Sequence, residues 1–86
     1  MKSILYFTAK WCAPCKQTKP IVEKLNTEQI MAKFFIIDID SNPEMTKDFE
    51  IRGVPTFIVM KDNREIHRVV GAQTKQQLEE LIRYDK

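Results

Sequence analysis

Trp11-Cys12-Ala13-Pro14-Cys15 holds both cysteines of the chain, three positions apart, between a strand-like run and a helix-like one. On a helix, side chains at i and i+3 share one face with Cβ atoms roughly 5–6 Å apart. A disulfide needs Cα atoms about 4.4–6.8 Å apart, so two such thiols can bond and separate with little backbone movement. This spacing points to a reversible redox pair at the start of a helix.

The competing readings are weaker. A structural staple around so short a loop removes little chain entropy, roughly 2 kcal/mol against about 3 for a fifteen-residue loop. A zinc site wants four ligands, and the chain has two cysteines and one histidine, His67, far along the sequence. Only half of an intermolecular metal site is conceivable.

The 86 residues suit a single domain spanning 1–86. A hydrophobic fraction of 43% with 30% charged residues is that of an ordinary globular protein. The net charge of +2, with acids and bases interspersed, argues against nucleic acid as a partner. The run Met1-Lys2-Ser3-Ile4-Leu5-Tyr6-Phe7-Thr8 is too short in apolar residues for an export signal, and no stretch could span a bilayer. A cytoplasmic location is therefore expected, where a Cys-x-x-Cys pair is more often catalytic than structural.

Outward from the cysteines, Ser3–Thr8 reads as a strand covered on both faces. A helix is expected from Cys12 or Ala13 to about Gln29, with Ile21, Val22 and Leu25 as its apolar stripe. Pro14 falls in its first turn and Pro20 inside it, where a kink is expected. Lys33–Ile39 reads as a second buried strand. Ser41-Asn42-Pro43-Glu44 resembles a capping box opening a short helix, whose Met45 and Phe49 face the core and which Gly53 ends. Thr56–Met60 and Glu65–Val70 form a hairpin through Lys61-Asp62-Asn63-Arg64. Thr74-Lys75-Gln76-Gln77 caps a last helix with Leu78, Leu81 and Ile82 facing inward. The expected fold is α/β, βαβαββα, with a four-stranded mixed sheet and helices on both faces.

These motifs together resemble the thioredoxin family over nearly the whole chain. Trp11-Cys12-Ala13-Pro14-Cys15-Lys16 is similar to the family's active-site motif, and Pro20 falls where the family kinks its active-site helix. Ile39-Asp40-Ser41-Asn42-Pro43 resembles the segment after the next strand. Ile51-Arg52-Gly53-Val54-Pro55-Thr56 resembles the cis-proline loop, and Val70-Gly71-Ala72 the last substrate-facing loop. The chain departs from the family in three ways. It begins almost at the active-site strand, which implies the minimal form of the fold. Ala13 replaces a glycine. Tyr6 stands where the family buries an aspartate, and Ile36 where that acid's lysine partner lies.

The resemblance implies a thiol–disulfide oxidoreductase that reduces protein disulfides. It implies a monomer with no bound cofactor, re-reduced from NADPH by a flavin-dependent thioredoxin reductase. At the helix N-terminus Cys12 gains from free N–H groups and the dipole, worth about 0.3–2 kcal/mol to a thiolate. Cys12 is accordingly assigned as the nucleophile and Cys15 as the resolving thiol. Trp11 is expected at an exposed edge covering the pair, with a core tryptophan as the alternative. Pro14 stiffens the turn. Trp11, Gly53, Val54, Gly71 and Ala72 are expected to face substrate, and the Val54 backbone to pair with an extended segment. Val54-Pro55 is cis by resemblance, against a plain trans turn. His67 is expected on the solvent side of its strand, and Lys10 and Lys16 as solvated flanks of the site. Asp38 reads as a strand-end acid or a substitute proton acceptor. In the family the missing aspartate is thought to assist the resolving thiol; tyrosine, with a pKa about 10, is no base at pH 7. Slower or water-dependent resolution is expected. Two other functions compete: a glutathione-served, glutaredoxin-like reductant, and a binding subunit on the same scaffold. Pro14 and the Gly71-Ala72 pair argue against the first.

Overall fold

The structure is a computed structural model and describes residues 2–85. Its elements run β1 (Lys2–Thr8), α1 (Ala13–Glu28), β2 (Lys33–Asp38), α2 (Pro43–Asp48), β3 (Thr56–Lys61), β4 (Arg64–Val70) and α3 (Lys75–Arg83). The sheet order is β2-β1-β3-β4. β1 and β2 are parallel, while β1–β3 and β3–β4 are antiparallel. A parallel neighbour requires a crossover, which α1 supplies, and an antiparallel one needs only a turn.

Ile4, Leu5, Tyr6 and Phe7 of β1 are all buried, because layers of helix cover both of its faces. On one side α1 and α3 contribute Val22, Leu25, Leu78, Leu81 and Ile82 against Ile4, Tyr6, Phe34, Phe57 and Val59. On the other, Met45 and Phe49 at α2 lie over Leu5, Phe7, Ile37 and Ile58. The hairpin turn has Asp62 and Asn63 at φ 52° and 67°, the left-handed pair of a two-residue type I′ connection. At α3 the capping box forms in both directions: Thr74 Oγ1 accepts the Gln77 N–H at 3.1 Å, and Gln77 Oε1 accepts the Thr74 N–H at 2.8 Å.

Four local expectations are corrected. The Ser41 capping box does not form, because α2 begins one residue later, with Asn42 at the N-cap and no side-chain cap bond. Asp38 Oδ1 instead accepts the Asp40 and Ser41 N–H groups at 2.8 and 3.3 Å. Nor does Gly53 end α2. The left-handed residue there is Glu50, at φ 53°. Around it Glu50 N–H donates to Lys47 O and Ile51 N–H to Thr46 O, each at 3.0 Å, which is a Schellman motif without its usual glycine. A left-handed non-glycine residue costs about 1–2 kcal/mol. Glu50→Gly is therefore expected to stabilise the chain by about 1 kcal/mol, raising Tm by roughly 4–8 °C in thermal unfolding. An unchanged or lower Tm would contradict it.

The third correction concerns β2, which is an edge strand, with Phe35 and Ile36 46% and 40% exposed. Its continuous apolar run reads as buried, but no strand among the described residues lies outside it. Instead, side-chain amides from the C-terminal end of α1 and its cap occupy part of the edge. Asn26 Nδ2 donates to Phe34 O at 3.0 Å and its Oδ1 accepts the Phe34 N–H at 2.9 Å. Gln29 does the same for Ala32, at 2.8 and 3.1 Å. Each amide imitates a neighbouring strand and removes a pair of free edge groups. Finally, His67 is half-buried and stacked on Tyr84, with ring centroids 4.4 Å apart, where alternation alone points it to solvent.

Candidate active site

β1 ends at Thr8, and a tight turn closed by the Cys12 N–H on Ala9 O (3.2 Å) carries the chain into α1. Cys12 is the N-cap residue, in extended conformation, and its Sγ accepts the Cys15 N–H at 3.2 Å. Ala13 and Pro14 fill the first helical positions, where proline's missing N–H costs nothing. Cys15 follows on the inner side of the first turn and is joined to Cys12 by a disulfide, with Cα atoms 5.3 Å apart. Both cysteines are almost covered, 4% and 2% exposed, in a small cluster with Ala9, Ile39 and Val54.

The Val54–Pro55 peptide is cis, and the Val54 carbonyl oxygen lies 3.7 Å from Cys12 Sγ. Pro55 O accepts the Gly71 N–H at 2.8 Å, which ties the β4–α3 loop to the same corner. Gly71 sits at φ +103°, a conformation an L side chain rarely adopts. Gly53 O accepts the buried Thr56 hydroxyl at 2.6 Å. The chain thus brings Cys12, Cys15, Val54, Pro55 and Gly71 to one end of the sheet. Trp11 is 66% exposed and donates Nε1–H to Asp40 Oδ2 at 3.0 Å, so it is an edge residue anchored to the β2–α2 loop and not a core one. Ala72 is exposed beside Gly71.

Tyr6 lies beneath the pair, fully buried and stacked on Phe57 at 4.7 Å. Its hydroxyl donates to the Cys15 carbonyl at 2.9 Å. Burial raises its pKa above the ordinary value of 10.0, with a hydrogen bond to Thr8 opposing the rise, so it is a neutral donor throughout the physiological range. Asp38 is half-buried and its carboxylate is engaged by its own loop, the strand-end role.

Two site residues escape a reading of the motif alone. Asp40 holds Trp11, and no local pattern announces a pairing across 29 positions. Thr18 is buried, its hydroxyl donating to Pro14 O at 3.1 Å. Extending the α1 stripe backward from Leu25 and Val22 to Thr18 and Cys15 exposes it, since these four are the buried residues of the helix.

Among known proteins, the thioredoxin family profile matches residues 1–84. Thioredoxin of Chlamydia trachomatis is 37% identical over 79 residues, spanning 92% of this chain and 78% of that protein. Thioredoxin of Staphylococcus saprophyticus is 38% identical over 81 residues, 93% of this chain and 78% of the other. Of solved structures, Fasciola hepatica thioredoxin superposes with a TM-score of 0.89 at 34% identity, covering 95% of this chain and 78% of that one. A mutant thioredoxin from Halobacterium salinarum gives 0.87 at 37% identity, over 94% and 71%.

Proposed function

Because this chain belongs to the thioredoxin family, we propose that it reduces disulfides of other proteins with Cys12 attacking and Cys15 resolving. The chain is a thiol–disulfide oxidoreductase, a dithiol electron carrier whose Cys12–Cys15 pair is the redox centre. The observation that supports the order of attack is the position of Cys12 Sγ at the α1 N-cap, within 3.2 Å of the Cys15 N–H. That donor and the helix dipole stabilise a thiolate on Cys12 more than on Cys15. Exposure does not separate the two sulfurs, since both are nearly covered.

In the proposed cycle the Cys12 thiolate attacks one sulfur of a substrate disulfide, and the other leaves as a thiolate that takes up a proton. Cys15 then loses its proton and attacks Cys12 Sγ, breaking the mixed disulfide and freeing the second substrate thiol. Two electrons pass to substrate and the Cys12–Cys15 disulfide remains. The Val54 carbonyl beside Cys12 offers a backbone acceptor to an extended substrate segment. Trp11, Gly53, Gly71 and Ala72 form the surrounding contact surface. The two sulfurs carry the electrons without a resident cofactor. NADPH, through a flavin-dependent thioredoxin reductase, is the proposed electron source, the cytoplasm the proposed location, and a monomer the proposed working form.

Insulin reduction tests this. Turnover with NADPH and thioredoxin reductase is the expected result. Turnover with glutathione alone would replace it with the glutaredoxin-like reading, and an inert protein that still binds a partner would favour the scaffold reading.

A further inference from the structure

The amides of Asn26 and Gln29 bond the C-terminal end of α1 to Phe34 of β2 and to Ala32 just before it, at the end remote from the cysteines. Toward the active site a cleft of about 410 Å³ has walls that include Cys15, Lys10, Lys16, Lys19, Ile36 and Asp38. Its floor is largely apolar, built from Ile36 and the loop after β1. Its rim is cationic. Lys10, Lys16 and Lys19 are exposed, and none forms an ion pair among the described residues. The single acid on the rim, Asp38, has one carboxylate oxygen held by two backbone N–H groups of its own loop.

The open edge of β2 faces this cleft. Phe34 turns its N–H and C=O away from β1, toward Asn26, whereas the Ile39 N–H bonds inward to Thr8 O at 2.9 Å. Alternation along a strand then directs the peptide groups of Ile36 outward, like those of Phe34. So one side of the redox pair presents three exposed ammonium groups, an apolar floor and an open strand edge, with Cys15 in the wall.

We infer that this cleft is a docking subsite for an acidic segment flanking the substrate's disulfide. An extended stretch bearing Glu or Asp places its carboxylates against Lys10, Lys16 and Lys19 while its backbone lies along Ile36. Lys16 and Lys19, three apart on one helix, reach the same length of chain. The inference rests on the disulfide-reductase reading and adds substrate selection to it. Exposed charges at this range act mainly through encounter and orientation, so the preference is salt-dependent.

The test uses the full chain and three synthetic peptides with one intermolecular disulfide each, identical except that the residues flanking the disulfide are Glu, Gln or Lys. A neutral small disulfide serves as the control. The Glu peptide is expected to exceed the Lys peptide in kcat/KM by about 10-fold at low ionic strength, equivalent to about 1.4 kcal/mol. Most of that ratio should vanish at about 1 M salt, where screening acts over roughly 3 Å. The double variant Lys10→Glu/Lys19→Glu should reverse the order of the peptides and leave the neutral disulfide unaffected. Equal rates for the three peptides, or a preference that survives the double variant, would overturn the subsite. No turnover of any substrate, the neutral one included, would overturn the reductase reading itself.

Discussion

Cys12→Ser is expected to abolish reduction of insulin, a loss of more than about 10³-fold, while leaving the fold intact. The serine hydroxyl is not ionised near neutral pH, and the groups that meet Cys12 Sγ, the Cys15 N–H and the Val54 carbonyl, are not general bases, so the nucleophile disappears. The scaffold tolerates the change, because serine is a good N-cap and its oxygen can accept the Cys15 N–H that Cys12 Sγ accepts now. Far-ultraviolet circular dichroism should be unchanged. Cys15→Ser should behave differently. It still attacks but cannot resolve, so it accumulates a mixed disulfide that intact-mass spectrometry detects as one substrate chain attached at position 12. If instead Cys12→Ser traps substrate on Cys15, the assigned order of attack is reversed.

The two variants also separate what a motif announces from what a fold adds. The Cys-x-x-Cys spacing, the proline in the first helical turn and the apolar stripe were enough to place α1 and its pair. Hydrophobic period and cap residues located the other elements to within a residue or two, except α2, which stops at Asp48 and not at Gly53. What resisted reading was information held by neighbours. Lys33–Asp38 is apolar enough to be central, and only sheet order makes it an edge. Glu50 has no preference of its own for a left-handed turn, and tertiary packing of Phe49 and Ile51 holds it there. The amides of Asn26 and Gln29 look like ordinary polar helix-end residues until the strand they serve is in place. The site shows the same division. Cys12, Cys15, Val54 and Pro55 were legible as motifs, whereas the cationic cleft between α1 and β2 gathers Lys10, Lys16 and Lys19 with Ile36 and Asp38 of β2 only once the crossover has folded.

Tyr6→Asp is expected to have two large and opposite effects. It should destabilise the chain by about 3–5 kcal/mol, the range for truncating a buried aromatic residue. Tyr6 is fully buried, stacks on Phe57 and holds the Cys15 carbonyl, and the shorter acid replaces neither contact. A carboxyl in that site also has its folded pKa raised by burial, and its register partner on β2 is the apolar Ile36. A raised folded pKa means that the site's contribution is complete below the unfolded value of about 3.9 and is lost as pH rises through the folded pKa. The variant should therefore be most stable in mild acid and weaken toward neutrality. The parent has the same sign in another window: the raised pKa of Tyr6 leaves its contribution intact below about 10 and loses it above. Against that cost, a carboxylate beneath the pair supplies the proton acceptor that tyrosine cannot, and release of substrate from the mixed disulfide should accelerate by about 10²-fold, the low end for a positioned base. Single-turnover release measures this directly. Tyr6→Phe separates the effects, because it loses the hydrogen bond to Cys15 O at a cost of about 1 kcal/mol and gains no acid. Adding Ile36→Lys beside Tyr6→Asp should recover part of the stability at neutral pH by pairing the buried charge. Release from Tyr6→Asp no faster than from the parent would show that resolution here is not limited by the missing acid.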